Sequence, residues 1–160
     1  MSGIRTGATA WFQKEITLKA PSRGFHLVTD EVYKQIPEIR QFSVGSATLF
    51  VKHTSASLSL NENCDPDVRI DMEGAMNRIV PESWNREFFR HTMEGDDDMP
   101  AHIKSTLIGA SITVPVSNGK FNLGTWQGIY LCEHRDVGGW GNGHNRKVVV
   151  TINGLASATS

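Results

Sequence analysis

The chain of 160 residues has the length of one ordinary domain, and a domain of this size buries enough apolar surface to fold without disulfides or a structural metal. Its 16 basic and 17 acidic residues give a formal net charge of −1, which argues against general binding to nucleic acid or to anionic membranes. The uncharged stretch 42–51 is too short to span a bilayer, and the N-terminus lacks the apolar run of a signal peptide. We therefore expect a cytoplasmic protein with no nucleic-acid or membrane partner.

The first half of the chain shows strand patterns and one short helix. Apolar and polar residues alternate over 12–18, which predicts a half-buried strand, and Lys14 on the apolar face favours an edge position. Thr29 is a candidate cap for a short helix that Pro37 ends early. Residues with high β propensity predict two further strands at 45–53 and 57–61.

The second half of the chain contains the clearest helix. It begins at Asp65-Pro66, a cap followed by proline at the first helical position, and Pro81 stops it. One face of this helix carries the apolar residues Val68, Met72, Ala75, Met76 and Ile79. A second short helix is predicted from about Pro100, with Ile103, Leu107 and Ile108 pointing inward.

Strand patterns resume after the second helix. A strand is predicted over 111–116, and Asn118-Gly119 is preferred in a type I′ hairpin turn because both central residues need positive φ. Closing strands are predicted at 127–133 and 147–152. These hairpins predict an α+β domain, a mainly antiparallel β-sandwich-like fold with two or three helices. We expect this single domain at 10–160, after a flexible N-terminal tail at 1–9.

The strand predicted at 45–53 runs into five small or polar residues, from His53 to Ser57, as expected where a strand end opens into a pocket. Hydroxyl groups there could donate to a phosphate or an oxyanion, and the imidazole of His53 could be a metal ligand, a base or a phosphate donor. The alternative is an ordinary strand-to-turn segment with a hydrogen-bonded histidine.

Four carboxylates surround the start of the helix at Asp65. Asp65 is explained as the helix cap, and Asp67 is stabilised by the positive end of the helix dipole. Neither argument accounts well for Glu62 or Asp71. These two residues are therefore the better candidates for a functional role.

The six histidines are spread along the chain, and no pair has the close helical spacing of a zincin-type metal site. A metal centre would have to be assembled by the fold. The aspartates at 96–98 lie between His91 and His102, where they form either a solvated acidic loop or oxygen ligands for a hard cation. Cys64 and Cys132 are interpreted as buried thiols, because they are too few for a disulfide scaffold.

Three further segments carry groups that suit an anionic ligand. Lys104 lies near a predicted helix start, where free backbone N–H groups gather. Trp126 and Gln127 lie between two glycines, which let a backbone approach a ligand closely, although a buried tryptophan is a plain alternative. Glu133 and Arg146 flank a glycine-rich segment and either form an ion pair or contact a phosphate.

Ordered motifs along the chain resemble those of the YjbQ-like family of small proteins. The motifs are His53-Thr54-Ser55-Ala56, Asn61-Glu62, Asp65-Pro66-Asp67-Val68-Arg69 with Asp71, His102-Ile103-Lys104, Leu107-Ile108-Gly109-Ala110-Ser111 and Gly124-Thr125-Trp126-Gln127-Gly128-Ile129. The resemblance covers roughly 10–155 and implies a mainly β-sandwich-like α+β protein that assembles as a homotrimer. Some members of the family are known as secondary thiamine-phosphate synthases with weak activity.

The resemblance implies one polar pocket near a subunit boundary. Its catalytic residues are expected to be His53, Glu62, Asp71 and His102. Its substrate-binding residues are expected to be Thr54, Ser55, Asn61, Lys104, Trp126, Gln127, Glu133 and Arg146. A divalent metal ion, zinc or magnesium, would be held by His53, His91 and His102. The segment 138–144 is longer and richer in glycine than expected for the family, so His134 and His144 are left out of the site.

Three functions are compatible with these residues. The resemblance implies an enzyme that joins a pyrimidine diphosphate to a thiazole phosphate with low efficiency. The histidines suit an alternative, a metal-dependent hydrolase or other phosphate-handling enzyme with a three-histidine site. A non-catalytic trimeric protein that binds a small ligand or a metal is the third. The partner expected of either enzyme is a small phosphorylated substrate.

Overall fold

Residues 3–137 and 143–157 are described by a computed structural model, in which the strands form two antiparallel sheets. The strands are Thr9–Ala20 (β1), Gly24–Leu27 (β2), Phe42–Val51 (β3), Ala56–Glu62 (β4), Ser111–Ser117 (β5), Lys120–Phe121 (β6), Gln127–Glu133 (β7) and His144–Ala156 (β8). The helices are Thr29–Gln35 (α1), Pro66–Ile79 (α2), Trp84–Glu87 (α3) and Asp98–Ile108 (α4), with a 3-10 helix at Pro37–Gln41. The strand order is β1-β8-β3-β5-β6 in one sheet and β2-β7-β4 in the other.

One apolar core lies between the two sheets. Leu49 and Val150 of the five-stranded sheet and Leu58 and Leu131 of the three-stranded sheet belong to the same buried cluster. Strand β7 is buried on both faces after its first residue, because α2 and α4 cover the other side of the three-stranded sheet. The predicted class, an antiparallel α+β sandwich, is confirmed.

Strand β1 forms an edge of the five-stranded sheet, as Lys14 predicts. Its inward residues Ile16 and Leu18 are buried, while the Lys14 ammonium donates to the carbonyl of Gln35 at 2.7 Å. The strand is longer than the predicted segment 12–18, because it pairs with β8 from Thr9 to Ala20. Edge positions accept charged side chains, which also oppose pairing with another chain.

The role predicted for Thr29 as a helix cap is wrong. The residue that precedes α1 is Val28, and no side chain caps this helix. The Thr29 hydroxyl instead accepts the backbone N–H of Ile129 at 2.9 Å, which ties α1 to β7. Pro37 does end the regular helix, and the chain continues as the 3-10 turn.

The bounds of α2 agree with the prediction, and its predicted apolar face is half-buried at Val68, Met72 and Met76. Asp65 caps the helix by accepting the N–H of Asp67 at 2.9 Å, and Pro66 is its first residue. No residue of α2 is fully buried, and Ile79, at the end of the predicted apolar face, is 57% exposed. The helix lies on the outside of the three-stranded sheet, so its apolar stripe is only partly covered by this chain.

Helix α4 begins earlier than predicted, and its inward face also differs. Its buried residues are Asp98, Pro100, Ala101, Lys104 and Ser105. Leu107, which was expected to point inward, is 60% exposed. Polar side chains occupy the buried face because they find partners there, such as the carbonyl of Ala56, which accepts the Ser105 hydroxyl at 2.9 Å.

The predicted hairpin turn is confirmed, and one prediction about the cysteines is wrong. Asn118 and Gly119 have φ of 51° and 75°, and the turn joins β5 to β6. Cys132 is buried in β7, but Cys64 is exposed in the turn before α2. In the described ranges, no helix is both long and apolar enough to cross a membrane.

The pairing of β4 with β7 separates two groups of the predicted site residues. Ala56 pairs with Glu133 at one end of these strands, and Glu62 pairs with Gln127 at the other. Six residue steps at the rise of a strand place the two ends about 20 Å apart. The residues predicted to share one pocket therefore lie at two ends of the three-stranded sheet in a single chain.

Candidate metal centre

Three side chains with metal-binding groups converge at the start of α4. His91 lies in the loop after α3, Asp98 is the first residue of α4 and His102 follows one turn later. The Asp98 Oδ2 atom is 2.8 Å from His91 Nε2 and 3.3 Å from His102 Nε2, and one ligand atom from each residue lies within 4.8 Å of the others. Among the described residues this is the one such group, and His53 is not part of it.

The orientation of the His102 ring follows from its contact with Thr54. Nδ1 is 2.9 Å from the Thr54 carbonyl oxygen, which can only accept a hydrogen bond. The Nδ1 atom therefore carries the proton, and in the neutral ring Nε2 presents its lone pair towards Asp98. A hydrogen bond on the other ring nitrogen is the usual device that orients a metal-binding histidine.

Arg135 binds the Asp98 carboxylate through the oxygen atom that does not face the two histidines. The Asp98 side chain is only 2% exposed, and its Oδ1 atom accepts a hydrogen bond from Arg135 Nη1. Arg135 Nε also donates to Asp97 Oδ2 at 2.7 Å, and the N–H of Asp136 donates to the same oxygen at 2.9 Å. Burial raises the pKa of Asp97, but these hydrogen bonds outweigh it and the pKa is lowered. The start of α4 is thereby fixed to the segment after β7.

The donor set fits a transition metal better than magnesium. Two imidazoles and one carboxylate suit Zn²⁺ and its neighbours, whereas Mg²⁺ prefers oxygen ligands and bound water. In a tetrahedral site the ligand atoms are about 3.3 Å apart, since each bond is about 2.0–2.1 Å long. The spacing of Asp98 and His102 agrees with that value. Three protein ligands leave a fourth position for water or substrate.

A buried ion pair lies beside this group and joins the two sheets. Arg146 of β8 donates from Nε to Glu133 Oε1 at 2.7 Å and from Nη2 to Glu133 Oε2 at 2.5 Å. Glu133 is fully buried and Arg146 is 7% exposed. Nη2 also donates to the Ser55 hydroxyl at 3.0 Å. The predicted residues Ser55, Glu133 and Arg146 are thus in direct contact.

His53 lies on the outer side of this ion pair. Its Nε2 accepts the backbone N–H of Lys147 at 2.8 Å, and its Nδ1 is 3.3 Å from Arg146 Nη1. Burial and the neighbouring guanidinium of Arg146 lower the pKa of the His53 imidazole, which favours the neutral ring. The chain from His53 to Ser55 therefore borders both groups, because the intervening Thr54 contacts His102.

Lys104 does not face the candidate metal centre. It is 1% exposed, and its ammonium donates to Asn77 Oδ1 of α2 at 2.6 Å. Burial, together with the nearby Arg23, lowers its pKa. The lysine predicted to bind an anion instead contributes to a polar contact between α4 and α2.

The other predicted residues lie away from this group. Asn61 Oδ1 accepts the N–H of Glu62, whose carboxylate accepts the N–H of Asp65 before α2. Gln127 accepts the N–H of Gly124 and shapes the turn before β7. The remaining two, Trp126 and Asp71, are exposed. In the glycine-rich segment that Glu133 and Arg146 flank, residues 138–142 lie outside the described residues.

Sequence reasoning missed Arg135 and gave Asp98 no definite role. The signal for Asp98 was its spacing from His102, since residues four apart share one face of a helix. Placing the helix start at Pro100 left Asp98 in the preceding loop and concealed that spacing. No local signal marks Arg135, because its partners Asp97 and Asp98 lie almost 40 residues earlier, at sequence separations of 38 and 37.

The fold and this group of residues define a class, a small antiparallel α+β protein with a candidate His–Asp–His metal centre at one end of its sandwich. The family model for UPF0047 protein YjbQ-like matches residues 14–155, and the chain belongs to this family. The UPF0047 protein YjbQ of Escherichia coli O157:H7 is 51% identical over 144 residues, which are 90% of this chain and 99% of that protein. The UPF0047 protein sll1880 of Synechocystis is 48% identical over 110 residues, which are 69% of this chain and 70% of that protein.

Solved structures show the same fold. A protein of the yjbq/upf0047 family from Clostridium acetobutylicum has a TM-score of 0.68 at 34% identity and covers 88% of this chain and 98% of its own. A YbjQ-like protein of unknown function from Sulfolobus solfataricus has a TM-score of 0.74 at 24% identity, with coverage of 92% and 99%. The second likeness concerns the fold alone.

Proposed function

We propose that this protein is a metal-dependent enzyme that acts on a small phosphorylated substrate. The observation that carries the proposal is the meeting of two acceptors, the lone pair of His102 Nε2 and the oxygen Oδ2 of Asp98, at 3.3 Å. Two acceptors at this distance need a proton or a cation between them. His91 Nε2 lies on the same oxygen, so a divalent cation satisfies all three side chains at once.

The residues around the metal centre have separate tasks in this proposal. A bound divalent ion would supply Lewis acidity and a site for an activated water. The carbonyl of Thr54 keeps His102 in the required tautomer, and Arg135 keeps Asp98 in place. Thr54 itself is exposed, and its hydroxyl is the group that would donate to a substrate oxygen.

The synthesis of thiamine phosphate is one reaction of this type. Its pyrimidine diphosphate loses an anionic diphosphate group, and a cation stabilises the charge that develops on the leaving oxygens. A hydrolase would use the same group to activate water against a phosphate ester. Release of diphosphate from the pyrimidine substrate and release of phosphate from a simple monoester distinguish the two reactions.

The first test is the metal content of untagged protein purified without added metal and then loaded with Zn²⁺. We expect about one ion per chain in the native protein, and loss of most of it in His102→Ala and Asp98→Asn. His26→Ala is the matched control, because His26 contacts the carbonyl of Ser22 and lies outside the metal group. Equal metal content in native protein and in both ligand variants would refute the metal centre.

Activity is measured on the same proteins with each divalent ion. The proposed enzymatic function is supported if turnover requires the metal and disappears in Asp98→Asn. Circular dichroism must show that this variant is folded. Full activity of metal-free protein would contradict it. A metal-loaded protein that turns over neither substrate supports the third hypothesis, a binding protein.

A further inference from the structure

The two nitrogens of the His53 ring both face N–H donors. Nε2 receives the backbone N–H of Lys147 at 2.8 Å, so in the neutral ring it is Nε2 that carries the lone pair. The proton then lies on Nδ1. That atom is 3.3 Å from Arg146 Nη1, which is itself a donor. The contact between Nδ1 and Nη1 therefore joins two donors and is not a satisfied hydrogen bond.

The other donors of Arg146 are already used. Nε donates to Glu133, and Nη2 donates to Glu133 and to the hydroxyl of Ser55. For Nη1, the partner found among the described residues is the His53 ring. Since Arg146 is only 7% exposed, the N–H groups of Nη1 have little access to bulk water. Buried donors of a charged group are costly to leave without an acceptor.

Two neighbouring donors without an acceptor favour the binding of an acceptor atom beside them. We propose that His53 Nδ1 and Arg146 Nη1 form an anion subsite that binds a phosphate oxygen of the substrate. A guanidinium N–H and an imidazole N–H side by side suit a phosphate, which offers several acceptor oxygens. The charges that face His53 are mixed, namely Arg146, Lys52 and Lys147 against Glu133.

The subsite adjoins the candidate metal centre through three consecutive residues. His53 and Ser55 contact Arg146, while the carbonyl of Thr54 between them contacts His102. One phosphate group can therefore lie at the subsite while the reacting group lies at the metal. The subsite binds phosphate by itself, and its role in turnover rests on the proposed function above.

The test is the binding of inorganic phosphate to metal-free and to zinc-loaded protein, measured by calorimetry. His53→Gln is the informative variant, because its side-chain carbonyl can still accept the N–H of Lys147 while the donor at Nδ1 is removed. We expect His53→Gln to bind phosphate about tenfold more weakly in the metal-free protein, as expected for the loss of a hydrogen bond to a charged group. Its metal content should stay unchanged.

Lys52→Gln is the matched control. It removes a positive charge from the neighbouring residue, whose ammonium contacts Glu15 at 2.8 Å, and it leaves both donors in place. We expect phosphate affinity close to that of the native protein. Equal weakening in Lys52→Gln and His53→Gln would show that phosphate affinity does not depend on the Nδ1 donor in particular, and would refute the subsite.

A second measurement uses the native protein and therefore does not depend on the folding of His53→Gln. The ¹⁵N spectrum of the histidine rings reports which nitrogen of His53 carries the proton, and we expect Nδ1–H with a shift on addition of phosphate. An Nε2–H ring, or no change on saturation with phosphate, would overturn the subsite. Phosphate binding without metal binding would refute only the proposed function, and metal binding without an effect of His53→Gln would refute only the subsite.

Discussion

At the scale of single residues, the burial of His134 determines the charge of its imidazole ring. The residue is 1% exposed, and its Nε2 contacts the hydroxyl of Ser57 at 2.8 Å. Burial, with smaller effects of Lys104, Arg23 and Arg146, lowers the pKa of His134 to about 3. The imidazole is therefore neutral at physiological pH, as expected for a histidine enclosed between a sheet and helices.

The lowered pKa of His134 predicts a dependence of stability on pH. In the unfolded chain the ring takes up a proton below about pH 6.5, whereas in the folded protein it stays neutral down to about pH 3. Its contribution to stability is thus complete above pH 6.5 and is lost as the pH falls from 6.5 towards 3. Between pH 6.5 and 5, we expect the native protein to lose about 2 kcal/mol more than His134→Gln.

Urea unfolding at several pH values measures this difference. If His134→Gln does not fold, the ring of His134 in native protein can be titrated by NMR between pH 7 and 5. Protonation of that ring near pH 6 would contradict the prediction, as would equal pH slopes for the two proteins.

At the scale of elements, the pairing of β3 with β8 depends on two glycines that face each other. Gly45 pairs with Gly154, and a Cβ atom on Gly154 would overlap the carbonyl oxygen of Val44. The register of the pair also shifts between Phe42 and Val44. The two backbones approach so closely that neither strand has room for a side chain at this position.

We expect Gly154→Ala to reduce the free energy of unfolding by more than about 2 kcal/mol, because the added methyl group forces two backbones apart. Gly7→Ala is the matched control, since the nearest atom to its Cβ would be a Leu155 methyl group at 4.0 Å. Thermal or urea unfolding measures both variants. A Gly154→Ala protein as stable as native protein would show that the sheet widens without cost.

The helix α4 shows how an element positions a site. Its first turn carries Asp98 and its second carries His102, while Lys104 and Ser105 fix its inner face to α2 and β4. The helical spacing brings two metal-binding groups to one side. The helix therefore sets the geometry of the candidate centre, and the loop with His91 completes it.

At the scale of the whole molecule, α2 leaves two large apolar side chains exposed, on opposite sides of the helix because they lie nine residues apart. Ile70 and Ile79 are 67% and 57% exposed, and helix α2 has no buried residue. Ile70, the more exposed of the two, is the α2 side chain that a contact with another chain would cover. The homotrimer implied by the family resemblance stays a prediction, and we propose that α2 contributes to its interface.

Light scattering on the purified protein tests this assembly. We expect the mass of three chains for native protein and a smaller mass for Ile70→Asp, because a charge in an apolar interface is costly to bury. Asp71→Asn, which changes the neighbouring exposed residue, is the control and should keep the native mass. A native protein with the mass of one chain would refute the trimer.

Local patterns predicted most elements of this fold. Alternation marked β1, proline and aspartate marked the start of α2, and Asn118-Gly119 marked the hairpin, because each depends on residues that are close in sequence. The sandwich class followed from the same elements. The predicted apolar faces of α2 and α4 were right in part: Val68, Met72, Met76, Ile103 and Ile108 are half-buried, whereas Ile79 and Leu107 are exposed. Burial of these last two depends on what packs against the helix and not on its own residues.

The candidate site likewise has features that local sequence patterns predict and features that depend on the folded chain. Local sequence patterns predicted that His53, Ser55, His102, Glu133 and Arg146 are polar residues at or near strand or helix ends. Their partners became evident in the folded chain, where Asp98 contacts His91 and His102, and His53 contacts Arg146. The register of β4 with β7 placed Glu62 and Gln127 at the opposite end. Contacts between residues so distant in sequence are set by sheet register and layer packing, which no local spacing encodes.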